Sequence, residues 1–200
     1  MLTTDQPAAR SLVTGSDDAK VEEHGCTPRP LALELLRLYR NAFTVLATRA
    51  PARQAHTDEE FLAEMADPAV LKLVARASDG SPRGLAILSN DLQTVPWISP
   101  TYYETRFSQH AAHGTLWYVT AIIVDTEHQG GPWASMLLTS VIGHVAARRG
   151  VAAFDCCLYN VETVGLPRLV GLVAQRMAGV EFVELDTQQY YALVLDGSAA

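Results

Sequence analysis

Apolar and polar positions change their spacing several times along this chain, and each change marks an element. From Pro30 onward, Leu35, Leu38, Tyr39, Ala42, Phe43 and Leu46 recur three or four residues apart, which predicts an amphipathic helix ending before Pro51. Thr57 followed by Glu60 has the form of a capping box and starts a second, shorter helix through Phe61 and Leu62 to about Ala66, closed by Pro68. Residues 70–77 and 83–90 are short apolar runs joined by Asp79-Gly80-Ser81-Pro82, so they predict an antiparallel hairpin. An aromatic-rich insertion follows, in which Ser99 can cap a helix whose first residue is Pro100.

The run from Leu116 to Val124 is apolar, β-branched and short, which favours a strand over a buried helix. Simple alternation puts Tyr118, Thr120, Ile122 and Val124 on one face and Trp117, Val119, Ala121 and Ile123 on the other. Both faces can be covered, so the strand is central. Gly130 and Gly131 form a turn, Pro132 suits a first helical turn, and from Trp133 the residues Ala134, Leu137, Leu138, Val141, Ile142 and Val145 keep helical spacing. Arg148 and Arg149 complement the negative helix end before Gly150 stops it. Residues 151–158 predict another strand, Asn160 opens a loop to a helix from about Pro167 to Ala178, and 180–186 with 189–195 predict a closing hairpin. Before Pro30 the chain is polar and aperiodic, as in a flexible arm at residues 1–29, with only a weak strand signal at 11–14.

Two hundred residues, 48% hydrophobic and 18% charged, suffice for one domain with a single core. A formal net charge of −7 without a basic stripe argues against a nucleic-acid partner. No long apolar span or signal peptide is evident, so no membrane association is expected. Three cysteines give neither a disulfide framework nor a zinc spacing, and the default location is a reducing cytoplasm. Cys156 and Cys157 adjoin in the expected strand, point to opposite faces and read as small buried residues. His110 and His113, three apart, are the nearest the histidines come to a metal spacing, and no metal site is expected.

A strand that enters a helix through a glycine turn aims several N–H groups and the positive helix end at one point, which is an anion site. The segment VDTEHQGGPWA resembles the acyl-CoA signature of GNAT-type N-acyltransferases, with Gln129 at its first position, Pro132 where glycine is usual and Ala134 at its last. The order of elements from about Pro30 to the C-terminus resembles the same family. That implies one domain over 30–200 of α/β (α+β) class, with a mixed, mostly antiparallel central sheet flanked by helices.

The resemblance implies acetyl-CoA, or another acyl-CoA, as cofactor. Ile122 and Val124 would lie along its arm, with Gln129, Gly130, Gly131, Trp133 and Ala134 around its phosphates and Asn160 nearby. Pro132 removes one donor there. Pro167 stands where the family has a tyrosine acid, which leaves Tyr159 and Tyr118 as the nearby phenols. Asp155 and Glu127 are carboxylates that could accept a proton, or simply solvated charges. Trp97, Tyr102 and Tyr103, with Thr120 on the strand, are candidates for an acceptor pocket, although the aromatics fit a satellite core or a dimer contact equally well. The implied activity is acyl transfer to a small-molecule or peptide amine. The alternative is a module of this fold that binds a ligand without catalysis. An exposed closing hairpin would also offer an edge for a homodimer.

Overall fold

A computed structural model describes residues 10–14, 19–51 and 55–193. Residues 1–9 and 15–18 of the expected arm, and the end of the expected closing strand beyond 193, lie outside the described residues. Among the described residues there is one six-stranded sheet in the order β1-β2-β3-β4-β5-β6. Its strands are β1 (Arg10–Thr14), β2 (Lys20–His24), β3 (Leu71–Arg76), β4 (Pro82–Ser89), β5 (Leu116–Val124) and β6 (Val151–Ala153). Neighbours are antiparallel except β5 and β6. The mixed, mostly antiparallel sheet is therefore as expected.

Helices cover both faces. On one lie α1 (Arg29–Leu46) and α2 (Asp58–Ala66), whose Leu35, Tyr39, Phe43, Phe61 and Met65 pack with Val74, Leu85, Ile87 and Ile123. On the other lies α5 (Trp133–Ala146), whose Met136, Leu137, Val141 and Val145 pack on Leu73, Ala86, Leu88 and Val119. The capping box is formed: Thr57 Oγ1 accepts from the Glu60 amide at 3.3 Å, and Glu60 Oε2 accepts from the Thr57 amide at 2.7 Å. After β4 come α3 (Pro100–Arg106) and α4 (Ser108–Ala112). Ser99 does sit at the N-cap of α3, but its hydroxyl makes no capping bond. The last helix, α6 (Leu166–Ala174), packs Val170 and Val173 against Leu138 of α5. No helix among the described residues is long and apolar enough to cross a membrane.

Simple alternation fails in the middle of β5. Ile87 pairs with Ala121 while Leu88 pairs with Val119, so the register shifts by one residue at Thr120, a β-bulge. Such a bulge reverses the facing of everything beyond it. Trp117 and Val119 accordingly share the α5 side with Ile122 and Val124, whereas Ala121 and Ile123 face α1. The expected grouping of Tyr118 with Ile122 and Val124 is thus corrected.

Three further expectations change. The sheet begins well before residue 29, because β2 pairs with β3 through Glu22 opposite Val74. Only Val21 of β2 is buried; Glu22 is held by Arg76 Nε at 2.7 Å and Lys20 Nζ at 2.9 Å, so a polar strand is stabilised by ion pairs across the sheet. The strand expected at 151–158 ends at Ala153, which puts Cys156 and Cys157 beyond it, half-buried and unbridged. The closing hairpin is not formed, since 180–193 contains no strand, and the edge expected to favour a dimer is absent there.

Gly150 proves to be required for a close approach more than for ending the helix. The left-handed residue at that end is Arg149, with φ 49°, while a Cβ on Gly150 would lie 2.5 Å from the Thr115 carbonyl oxygen. Gly150→Ala should therefore cost about 2 kcal/mol as β5 and β6 are pushed apart. The expected result is a lower urea midpoint at unchanged slope.

Lys72 is the most unusual buried group. It is 0% exposed on β3, and its Nζ donates to the carbonyls of Gly25 at 2.7 Å and Asp67 at 2.5 Å. The side chain thus ties the β2–α1 connection to the end of α2. Burial lowers its pKa to about 8, against the pull of Glu64 and Asp67.

Candidate active site

At the end of β5 the chain makes one 3₁₀ turn, Thr126–His128, and then the glycine loop. Asp125 organises the turn: its carboxylate accepts from the Glu127 amide at 3.2 Å and lies 2.9 Å from His128 Nδ1 and 3.3 Å from the Arg83 guanidinium. Burial pushes this carboxyl up, but the amide, His128 and Arg83 outweigh it and hold it below the usual range. Gln129 is extended, Gly130 is left-handed at φ 87°, and Pro132 is the N-cap of α5 without a side-chain cap. The first amides of α5 are left to water or a ligand. Gly131 is crowded, since a Cβ there would lie 3.2 Å from the Trp133 indole and 3.3 Å from the His128 carbonyl oxygen. Asp125, Glu127 and His128 are the one group among the described residues with a metal-like spacing, but the Arg83 guanidinium already pairs with Asp125. Arg83 lies 45 residues from His128 in sequence, and only the β4–β5 register brings this cation to the loop.

Beside the loop the sheet opens. β5 and β6 pair only through Leu116–Val151, Trp117–Ala152 and Tyr118–Ala153. Among the described residues, the ladder between β5 and β6 ends at Tyr118, and β5 runs on to Val124 beyond it. Ile122 and Val124 lie on this stretch of β5, which continues through the Thr126–His128 turn to Gly130.

Where β5 and β6 are paired, four of the expected aromatics gather around Asp155. Tyr118 is 0% exposed, and its hydroxyl donates to Asp155 Oδ1 at 2.5 Å. Trp97 Nε1 donates to the same oxygen at 3.2 Å. Tyr103 packs edge-on against Tyr118 at 5.6 Å and Tyr102 against Tyr103 at 5.2 Å. Burial and then the Asp155 carboxylate push the Tyr118 phenol far above its ordinary pKa, so it remains a proton donor to Asp155. The Thr120 hydroxyl points back to the Ile87 carbonyl at 3.4 Å. Tyr159 lies outside this network with its ring under the Arg49 guanidinium at 5.5 Å, and Asn160 begins a single π-helical turn, Asn160–Val164. His110 and His113 are engaged locally, by Thr115 Oγ1 at 3.2 Å and the Gln109 carbonyl at 2.6 Å, and do not converge.

Trp97 also walls a cavity of about 410 Å³ that sequence reasoning did not foresee, together with His56, Glu60, Glu64, Asp67 and Val70. His56 lies 3.9 Å from the carboxylates of both Glu60 and Glu64. The sequence signal was slight: acidic residues on one side of a capped helix usually read as a solvated face.

No family model matches the chain, and no curated protein matches it by sequence. Solved structures do resemble it. An aminoglycoside acetyltransferase from an uncultured soil metagenomic sample, crystallised with sisomicin, superposes with a TM-score of 0.53 at 14% identity, over 88% of this chain and 97% of that one. An N-acetyltransferase from Staphylococcus aureus Mu50 gives 0.52 at 18% identity, covering 76% and 81%. The aminoglycoside N-acetyltransferase AAC(6')-Iy in complex with CoA gives 0.50 at 15% identity, covering 90% and 100%. At these identities the likeness is one of fold, and the expected GNAT-like architecture is the one the chain has.

Proposed function

We propose that this chain is an N-acyltransferase of the GNAT type, moving an acetyl group from acetyl-CoA to an amine. The observation that carries the reading is the parting of β5 from β6 after Tyr118 among the described residues, which we read as a groove, with β5 running on into a glycine loop at a helix start without a side-chain cap. A long ligand with an anionic end fits such a groove. Its phosphates would meet Gln129, Gly130, Gly131, Trp133 and Ala134, with the Arg83 guanidinium beside the loop, and its arm would follow Ile122 and Val124. We place Asn160 on the opposite wall of the groove.

Bound acetyl-CoA supplies a thioester, whose carbonyl carbon takes the amine lone pair as the C–S bond breaks and the sulfur takes up a proton. The chain contributes orientation first, since backbone amides fixed along a groove remove the freedom that makes the bimolecular reaction slow. Asp155 is the carboxylate that takes the proton from an incoming ammonium, and Tyr118 and Trp97 hold it in place. Tyr118 is committed to Asp155, so of the two phenols Tyr159 is assigned to the leaving sulfur. Trp97, Tyr102, Tyr103 and Thr120 border the acceptor side, and the free cysteines fit a reducing cytoplasm.

A second reading, a binding module without turnover, is supported by Pro132 in the loop and by the Trp133 indole lying against Gly131. Incubation with acetyl-CoA and a panel of primary amines, with free thiol as the readout, separates the two. Amine-dependent thiol release is the expected result; acetyl-CoA binding with no release from any amine would favour the module.

A further inference from the structure

The interface between α5 and β5 buries polar atoms that packing alone would exclude. Ser140 and His144 stand one turn apart on the buried face of α5, and the His144 ring meets Trp117 of β5 edge-on at 5.1 Å. Trp117 Nε1, Ser140 Oγ and His144 Nε2 are shielded from solvent and make no hydrogen bond among the described residues. On its other side His144 Nδ1 lies 3.5 Å from Oε2 of Glu23 on β2, and the side chains are 3% and 25% exposed. The proton of the neutral imidazole therefore belongs on Nδ1, toward the carboxylate, and Nε2 is left as a bare acceptor. A second proton would put an N–H at Nε2, where no acceptor among the described residues meets it.

The charges around the ring pull both ways. Arg148 donates from Nη1 to the His144 carbonyl at 2.9 Å, which fixes a guanidinium beside the ring, whereas Glu23 favours a positive imidazole. Arg10 of β1 and the apolar Leu73 of β3 stand opposite Glu23 in register. Ala86 and Leu88 of β4, Ala152 of β6, and Val170 and Val173 of α6, on the strands and helix packed around α5, carry no charge. Burial and then Arg148 prevail over Glu23 and lower the His144 pKa. We propose that His144 is an acid-released latch: neutral, it seals the last turns of α5 against β5, and on protonation it swings from Trp117 toward Glu23 and water, freeing that end of the helix. Nothing in the latch depends on acyl transfer, although α5 begins at the glycine loop. The unfolded imidazole takes its proton near pH 6.5 and the folded one lower, so below 6.5 the unfolded state binds more protons and stability falls as pH falls.

Hydrogen exchange followed by NMR on the full chain, each rate divided by the intrinsic rate at the same pH, tests the latch. From about pH 7.5 to about pH 5, protection of the Trp117 indole N–H and of the amides of residues 141–145 should fall about tenfold, while the amides of β3 and β4 keep theirs. His144→Gln, which cannot take the proton, should show no such fall. Glu23→Gln, which removes the carboxylate that favours protonation, should move the fall to lower pH. Indole protection in the wild type that ignores pH, an equal fall in His144→Gln, or a loss shared by β3 and β4 would each overturn the proposal. Should His144→Gln fail to fold, Glu23→Gln decides alone, and a fall at unchanged pH in that variant counts against the latch.

Discussion

Gly131→Asp should weaken acetyl-CoA binding on the order of 100-fold or more, measured by calorimetry, while leaving the fold intact. Two effects add. A Cβ at this position meets the Trp133 ring at 3.2 Å and the His128 carbonyl oxygen at 3.3 Å, so the indole must move. The new carboxylate would then face the pyrophosphate across the uncapped start of α5, in a loop whose neighbouring guanidinium, Arg83, is already paired with Asp125. Gly131→Ala separates the two, because it crowds the indole without adding charge and should cost no more than about tenfold. If aspartate here leaves the affinity unchanged, the phosphates do not lie against this loop and the groove must be read in another way.

The second large effect is one of pH. Because burial depresses the Lys72 pKa from 10.5 to about 8, the folded chain gives up this proton more easily than the unfolded one. Below about 8 both states carry the charge and the fold bears the full desolvation cost; between about 8 and 10.5 the unfolded state binds more protons, so stability rises with pH. The slope approaches about 1.4 kcal/mol per pH unit, and the total is on the order of 3 kcal/mol. Other groups titrate in this window, so the measurement is a difference. Urea unfolding of the wild type and of Lys72→Met, from pH 7 to 11, should show the wild type gaining on the variant across that range. Parallel curves would mean that the ammonium is better solvated than its burial implies.

The sequence made the strand, turn and helix around Gly130 legible because three signals agreed there: an apolar β-branched run, paired glycines and helical spacing. It did the same for the capping box at Thr57 and for the hairpin at Asp79. β2 was hidden for a physical reason. With one buried residue, charges at Lys20, Glu22 and Glu23 and the polar His24, it owes its place to partners such as Arg76 that lie far along the chain. The bulge at Thr120 was equally invisible, because a strand apolar on both faces looks the same before and after a one-residue slip. Asp155, Tyr118 and Trp97 were each noticed singly, but their meeting depends on the β5–β6 register and on the path of the insertion after β4. The closing hairpin shows the converse failure, since a strand-like pattern at 180–193 was not matched by a neighbour to pair with.

The succession of strands across the sheet has a consequence for how the molecule assembles. From β1 to β6 spatial order and chain order coincide, so no strand has to be inserted between two that are already paired. A chain emerging from the ribosome can therefore extend its sheet by adding each new strand to a free edge, with α1 and α2 ready to cover one face before β3 arrives. The parallel crossover from β5 through α5 to β6 comes last. The pairing that spans most chain is β2 with β3, Glu22 opposite Val74 across α1 and α2, and it is there that sheet formation should be slowest. The short pairing of β5 with β6 is then the last step in building the sheet.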